Sequence, residues 1–406
     1  MRYALESSLD DEARDPAEEH SMTSIPTTEI PLDGSAEDRF AGVREEFARR
    51  FATGEELGAS LVVLVDGRPA VDLWGGWSDQ DRTRPWERDT LTNVWSISKT
   101  VSTLAALVLI DRGQLDPERP VADYWPEFAA AGKEGVLVKH VLMHTSGVSG
   151  WAQPVTAADI LDVEGAAARL AAQPAWWPAG AASGYHLLDY GHLVGEIVRR
   201  VSGRSLGAFV ADELTGPLGA DFWLGLPDSE EHRVSDVVPP PPSQIDLSAL
   251  PPDSPAFKTF TGPPLEAELT WTRPWRAAGI GGAGGQGNAR SVARLNALIA
   301  GRGEVDGVRL LSPDTVGRVF AEHTDGIDLV LGMPLRFGLG YAVPHPASTP
   351  YLPEGAVAFW GGWGGSLVVA DADRGLTIAY VMNKMSSGII GSDRSRAYAE
   401  AVYAAL

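Results

Sequence analysis

Apolar positions along the chain fall into two periods. Phe40, Val43, Phe47 and Phe51 recur at helical spacing within 36–53, which predicts an amphipathic helix there. Segments 60–65 and 70–73, separated by Asp66-Gly67, read as the two arms of a β-hairpin. Gly75-Gly76 and the polar run 78–90 follow as loop. The stretch 96–111 predicts a strong helix closed by Gly113. From about 114 to 300 the pattern is mostly helical with long connections. The clearest helices there are 187–201 and 206–214, and Asn288 is placed to cap a helix at 289–300. The segment 239–255 is a proline-rich loop suited to lie over a cleft. Strand periods return at 356–360, 366–370 and 376–382, and a last helix is expected over 394–405.

Strands at both ends thus bracket a helical middle. The economical architecture is an α/β (α+β) molecule with one antiparallel sheet drawn from both ends of the chain and flanked by terminal helices. The expected division is a disordered acidic tail over 1–35, a sheet domain from 36–112 and 300–406, and a mainly helical lobe over 113–299. A site in such a molecule favours the seam between the lobes.

Charge and composition narrow the choice. At 406 residues and 44% hydrophobic, the chain can bury a large core. A formal charge of −21 disfavours nucleic acid and acidic membrane surfaces as partners. Residues 1–38 carry 2 basic and 11 acidic side chains with no apolar period, hence the expected tail. With no cysteine there is no disulfide, zinc–thiolate site or thiol nucleophile. No basic segment followed by an apolar run opens the chain, and the expectation is a soluble cytoplasmic protein with no metal or organic cofactor. Its oligomeric state is not legible from the sequence.

The sharpest chemical signal is Trp95-Ser96-Ile97-Ser98-Lys99. Positions three apart share a helix face, so Lys99 can set its amine beside the Ser96 hydroxyl. Scrambling 28 serines and 5 lysines along the chain gives roughly 0.3 such pairs, so a capping serine with a snorkelling lysine is the bland alternative. Against it, Lys99 opens the otherwise apolar run 104–110, and a lysine entering a core needs a reason. A free amine titrates near ~10.4 and a phenol near ~10, so such a pair needs burial or a third proton-sharing group to work at neutral pH.

Two further segments offer partners. Tyr185 follows Ser183-Gly184 on a turn just ahead of a helix, where a side chain can point into a cleft; alone it would read as a core aromatic. Trp360-Gly361-Gly362-Trp363-Gly364-Gly365 interrupts a strand, and glycines there let another group approach the backbone closely.

Taken in order, these segments resemble the serine β-lactamase and penicillin-binding-protein superfamily. The likeness is strongest to class C β-lactamases and the β-lactamase-like carboxylesterases known as family VIII esterases. Ser96 and Lys99 match the serine–x–x–lysine motif, Tyr185 opens the second motif, and Trp360-Gly361-Gly362 stands where β-lactamases carry Lys-Thr-Gly. Segments 111–116, 142–147 and 185–196 resemble the esterase branch, and the likeness runs from about residue 36 to the end.

The resemblance implies a β-lactamase/transpeptidase-like fold and an acyl-Ser96 intermediate. It further implies proton transfer by Lys99 with Tyr185, either being the ground-state base, and an oxyanion hole from the N–H groups of Ser96 and Trp363. Two departures stand out. Position 187 is Leu rather than the Asn of Tyr-x-Asn, and Trp360 replaces the lysine of Lys-Thr-Gly. Both changes point toward neutral, apolar acyl groups. Trp95, Trp176, Trp177, Trp360 and Trp363 flank the motifs as candidate pocket walls. Gly361, Gly362, His186 and Gln286 complete the candidate substrate contacts.

Other motifs carry less. Gly203-Arg204-Ser205-Leu206-Gly207 fits G-x-S-x-G but follows a helix, where a strand is required. His140 and His144 lack the zincin glutamate, and Asp371-Ala372-Asp373 lacks a full calcium ladder. The expected activity is cleavage of a small-molecule ester, or an amide, through an acyl-enzyme. The alternatives are an acyltransferase using the same intermediate, a β-lactamase or D-amino-acid peptidase, and a non-catalytic binding protein of this fold.

Overall fold

The structure, a computed structural model, describes residues 29–242, 246–263, 265–321 and 324–406. The hairpin forms between strands Gly58–Val65 and Arg68–Gly76. Its turn places Asp66 at φ 49° and Gly67 at φ 76°, the doubly left-handed geometry that Asp-Gly tolerates and that matches strand twist. Strand Leu376–Met382 pairs antiparallel with Gly58–Val65, joining the two ends of the chain. Leu367–Asp371, Val357–Gly361, Ala342–Val343, Pro334–Phe337 and Thr324–Ile327 extend the sheet in that order. Every residue of Leu376–Met382 is buried, as expected for a central strand covered on both faces.

The opposite edge corrects the reading of 1–35 as a tail. Leu32–Ala36 is a strand, paired with Arg68–Gly76 from Leu32↔Gly75 to Ala36↔Val71. A largely exposed edge strand needs main-chain pairing but no apolar period, so the pattern did not reveal it. Residues 1–28 lie outside the described residues. The short strands at 324–343 were likewise not anticipated.

Helices Ala41–Ala52 and Asp393–Tyr403 pack together through Phe47 and Tyr398 (6.0 Å between centroids), and Tyr398 packs in turn on Tyr380 of the central strand (4.9 Å). Beneath them Glu56 and Arg394 form a buried pair at 2.7 Å, and the Tyr380 hydroxyl donates to Glu56 at 2.6 Å. Helix Ala289–Ala300, capped by Asn288 accepting from the Ser291 N–H, lies across the three central strands. It therefore covers the sheet, although it falls at the end of the stretch assigned to the helical lobe. That stretch also supplies three strands of a small second sheet, ordered Phe222–Trp223, Gln286–Gly287, Leu91–Asn93, Val234–Ser235. Helix Ser98–Asp111 runs between the two regions, packed on helix Asp189–Ser202, and is buried from Ser98 to Leu109. Among the described residues no helix is long and apolar enough to cross a membrane.

Candidate active site

The turn Trp95–Ile97 precedes the central helix and puts Ser96 at its N-terminal end. Trp95 sits at φ 53°, a left-handed conformation that costs a bulky residue energy and persists only where the surroundings enforce it. The enforcing contacts are visible. Ser98 Oγ donates to the Trp95 carbonyl at 2.6 Å, Val94 N–H donates to Gly285 O at 2.9 Å, and Ser366 Oγ donates to Val94 O at 3.1 Å. Asn93 accepts from Trp275 Nε1 and Gln286 Nε2, both at 2.9 Å, and so ties the small sheet to the same turn.

Two side chains converge on the hydroxyl oxygen of Ser96. Lys99 Nζ lies 3.0 Å from Ser96 Oγ, and the Tyr185 hydroxyl donates to Ser96 Oγ at 2.7 Å. Lys99 also donates to the carbonyls of Leu187 and Gly282, each at 2.7 Å. A neutral amine has two N–H bonds and one lone pair, and these two carbonyls take both hydrogens, leaving the lone pair for the serine. Burial pulls the Lys99 amine down to about 7, opposed by the charge of Asp189. Burial pushes the Tyr185 phenol up, against the Ser96 hydrogen bond, so the phenol keeps its proton near neutrality. Lys99 also sits 4.8 Å from the Tyr185 ring centroid.

The glycine-rich end of Val357–Gly361 presses against this turn. A Cβ on Gly362 would stand 2.1 Å from Ser366 Oγ and 2.7 Å from Val94 O, so no side chain fits. The carbonyl of Gly364 accepts from Ser386 N–H at 2.7 Å and Ser386 Oγ at 3.0 Å, and Gly364 N–H donates to Gly388 O at 2.8 Å. Those bonds fix the peptide after Trp363, whose own N–H has no acceptor among the described residues. The Trp363 ring packs edge-on against Trp95, centroids 4.8 Å apart.

Residues 43–403 match the family model described as Beta-lactamase. The chain belongs to the β-lactamase family. It is 34% identical over 374 residues to "Esterase/beta-lactamase LipL" of Mycobacterium tuberculosis, covering 89% of this chain and 85% of that protein. A crystal structure of a family VIII carboxylesterase superposes with a TM-score of 0.87 at 38% identity, over 93% of this chain and all of the other. A penicillin-binding protein homologue from Caulobacter crescentus gives 0.86 at 40% identity, again over 93% of this chain and all of the other. The β-lactamase/transpeptidase-like fold expected from the motifs is the fold observed.

Within this β-lactamase-family frame, several expected substrate contacts are placed elsewhere. Gln286 is fully buried and its amide nitrogen donates to Asn93 Oδ1 and the Gly284 carbonyl, so it props the nucleophile turn from within the core, its Oε1 buried without a partner. His186 is also fully buried; its ring bonds Gly184 O at 2.7 Å and Ser146 Oγ at 2.6 Å. Burial draws that imidazole down to about 3, which makes it a neutral strut. Trp95 lies under Trp363, and Trp360 lies against Tyr185 with centroids 5.1 Å apart. The Trp360 indole N–H reaches no full hydrogen bond, yet its place beside the phenol favours a negative oxygen there. Trp177 donates to Ala182 O at 3.0 Å and packs on Gly184, leaving Trp176 and Trp363 as the partly exposed tryptophans of the five.

Two carboxyl groups escaped the sequence reading. Asp189, one turn beyond Tyr185, is buried with neither oxygen hydrogen-bonded, and burial pushes its carboxyl well above the usual range. Asp328, distant in sequence, accepts from the Tyr185 N–H at 3.0 Å. Asp189 sits close to the second motif and was legible there; nothing in the spacing marked Asp328.

Proposed function

We propose that the protein hydrolyses carboxylic esters of neutral, apolar acyl groups through an acyl-Ser96 intermediate. The observation that carries this reading is the meeting of the Lys99 amine and the Tyr185 phenol at Ser96 Oγ. Neutral Lys99 takes the hydroxyl proton as Ser96 Oγ attacks the ester carbon. The N–H groups of Ser96 and Trp363 stabilise the oxyanion, each such donor contributing about 3 kcal/mol to the barrier reduction. Tyr185, held protonated and already pointing at the reacting oxygen, delivers a proton to the departing alkoxide and is reprotonated by the lysinium. Water then repeats the sequence in reverse and frees the acid.

Leu187 and Trp360 support a neutral substrate, since neither supplies an amide or a cation for a charged one. The esterase names of the relatives support the same bond class. Hydrolysis of p-nitrophenyl butyrate by wild type and Ser96→Ala is the test, together with the mass of the peptide bearing residue 96 after a brief exposure to a fluorophosphonate. The expected result is activity and labelling in wild type and neither in the variant. Equal rates in the two proteins would refute the reading.

A further inference from the structure

Asp328 has no part in the chemistry above, yet its surroundings are unusual. It is fully buried, and its Oδ1 accepts three main-chain N–H groups: Tyr185 at 3.0 Å, Val330 at 2.9 Å and Leu331 at 2.9 Å. The first belongs to the residue that carries the phenol, 143 positions away. The neighbouring Leu329 N–H donates to Ser183 O at 2.8 Å, and the Asp328 main chain closes its own loop through Met333 and Gly332. Asp328 Oδ2 is buried without a hydrogen-bond partner. A half-satisfied carboxyl in a core is costly unless something is gained from it. What this one holds is the turn 183–185, whose other main-chain ties run from Gly184 N–H to His144 O at 2.9 Å, from His186 N–H to His144 Nδ1 at 3.1 Å and from Leu329 N–H to Ser183 O, so that Asp328 alone takes the N–H of Tyr185 itself.

We propose that Asp328 is a positioning residue for catalysis: its carboxylate clamps the main chain of Tyr185 from across the fold and thereby holds the phenol on Ser96. The inference rests on the role given to Tyr185 above. Charge fits the same role. Lys99, Asp189, Asp328 and His144 are the titratable groups around the phenol; His144 is kept neutral by burial, and the two aspartates favour the protonated phenol. Asp328 thus fixes where the hydroxyl sits, while burial is what chiefly keeps the proton on it.

The test is a double-mutant cycle with p-nitrophenyl butyrate, read as kcat per fluorophosphonate-titrated site. Asp328→Ala removes the clamp, and a displacement of about 1 Å at a reacting group costs on the order of 10²-fold. The expected result is a kcat fall of that size with KM changed less than about threefold, and little further loss when Asp328→Ala is added to Tyr185→Phe. Asp328→Asn keeps an acceptor of the same shape and serves where the alanine variant fails to fold. It should lose less rate than alanine, and its loss too should vanish in the Tyr185→Phe background. Losses that multiply in that background overturn the proposal, as does Asp328→Asn with wild-type kcat. If Tyr185→Phe alone keeps the wild-type rate, it is the reading of Tyr185 that fails.

Discussion

The amine of Lys99 sets a pH dependence whose size follows from its burial. Drawn from 10.5 to about 7, it is ~10% neutral at pH 6 and ~90% neutral at pH 8. If the neutral amine is the base, kcat/KM for p-nitrophenyl butyrate rises about tenfold over that interval and is a further ~ninefold lower at pH 5. The same group affects stability, with a sign fixed by linkage. The unfolded chain binds a proton to Lys99 up to about pH 10.5, the folded chain only up to about pH 7, so between these values the unfolded state holds more protons and stability rises with pH. Integrated from pH 6 to pH 9, the gain is about 3 kcal/mol.

Lys99→Met removes that gain, whatever its constant cost from leaving the Leu187 and Gly282 carbonyls unpaired. The assay is urea unfolding of both proteins at pH 6 and pH 9, alongside the pH–rate profile of the wild type. Asp189 titrates in linkage with the lysine, so the profile reports the pair. A flat kcat/KM from pH 5.5 to 8.5, with identical pH dependence of stability in wild type and Lys99→Met, would refute the reasoning.

Other outcomes follow from single contacts. Tyr185→Phe removes the hydroxyl donated to Ser96 at 2.7 Å and should lower kcat about 10²- to 10³-fold with the fold intact, checked by steady-state kinetics and circular dichroism. Gly362→Ala forces a Cβ against Ser366 Oγ and the Val94 carbonyl, so kcat and Tm should fall together; unchanged kcat would separate that segment from the oxyanion site. Arg394→Met leaves Glu56 as a buried unpaired carboxylate and frees the carbonyl of Lys384, which Arg394 holds at 2.6 Å. A loss of about 3–5 kcal/mol in urea unfolding is expected.

Sequence and structure agree most closely where a local signal had a local cause. Asp66-Gly67 specified its turn, Asn288 its cap, and strand 376–382 its limits, because turn geometry, capping and a short bounded apolar run are written within a few residues. Edge strand Leu32–Ala36 and the short strands Thr324–Ile327, Pro334–Phe337 and Ala342–Val343 were missed because their order comes from a neighbour's main chain. His186 and Gln286 were misplaced for a related reason. Adjacency to a motif says nothing of which way a side chain turns, and both turned into the core to satisfy buried polar groups.

By itself the sequence determined which chemistry was possible: a hydroxyl and an amine on one helical turn, a phenol ahead of a helix, and a glycine run with no room for side chains. Only the tertiary structure decided that these meet at one oxygen, that the amine is buried deeply enough to lose its proton near neutrality, and that a carboxylate 143 residues away grips the phenol's backbone. Proximity and desolvation are properties of packed space, and chain spacing encodes neither.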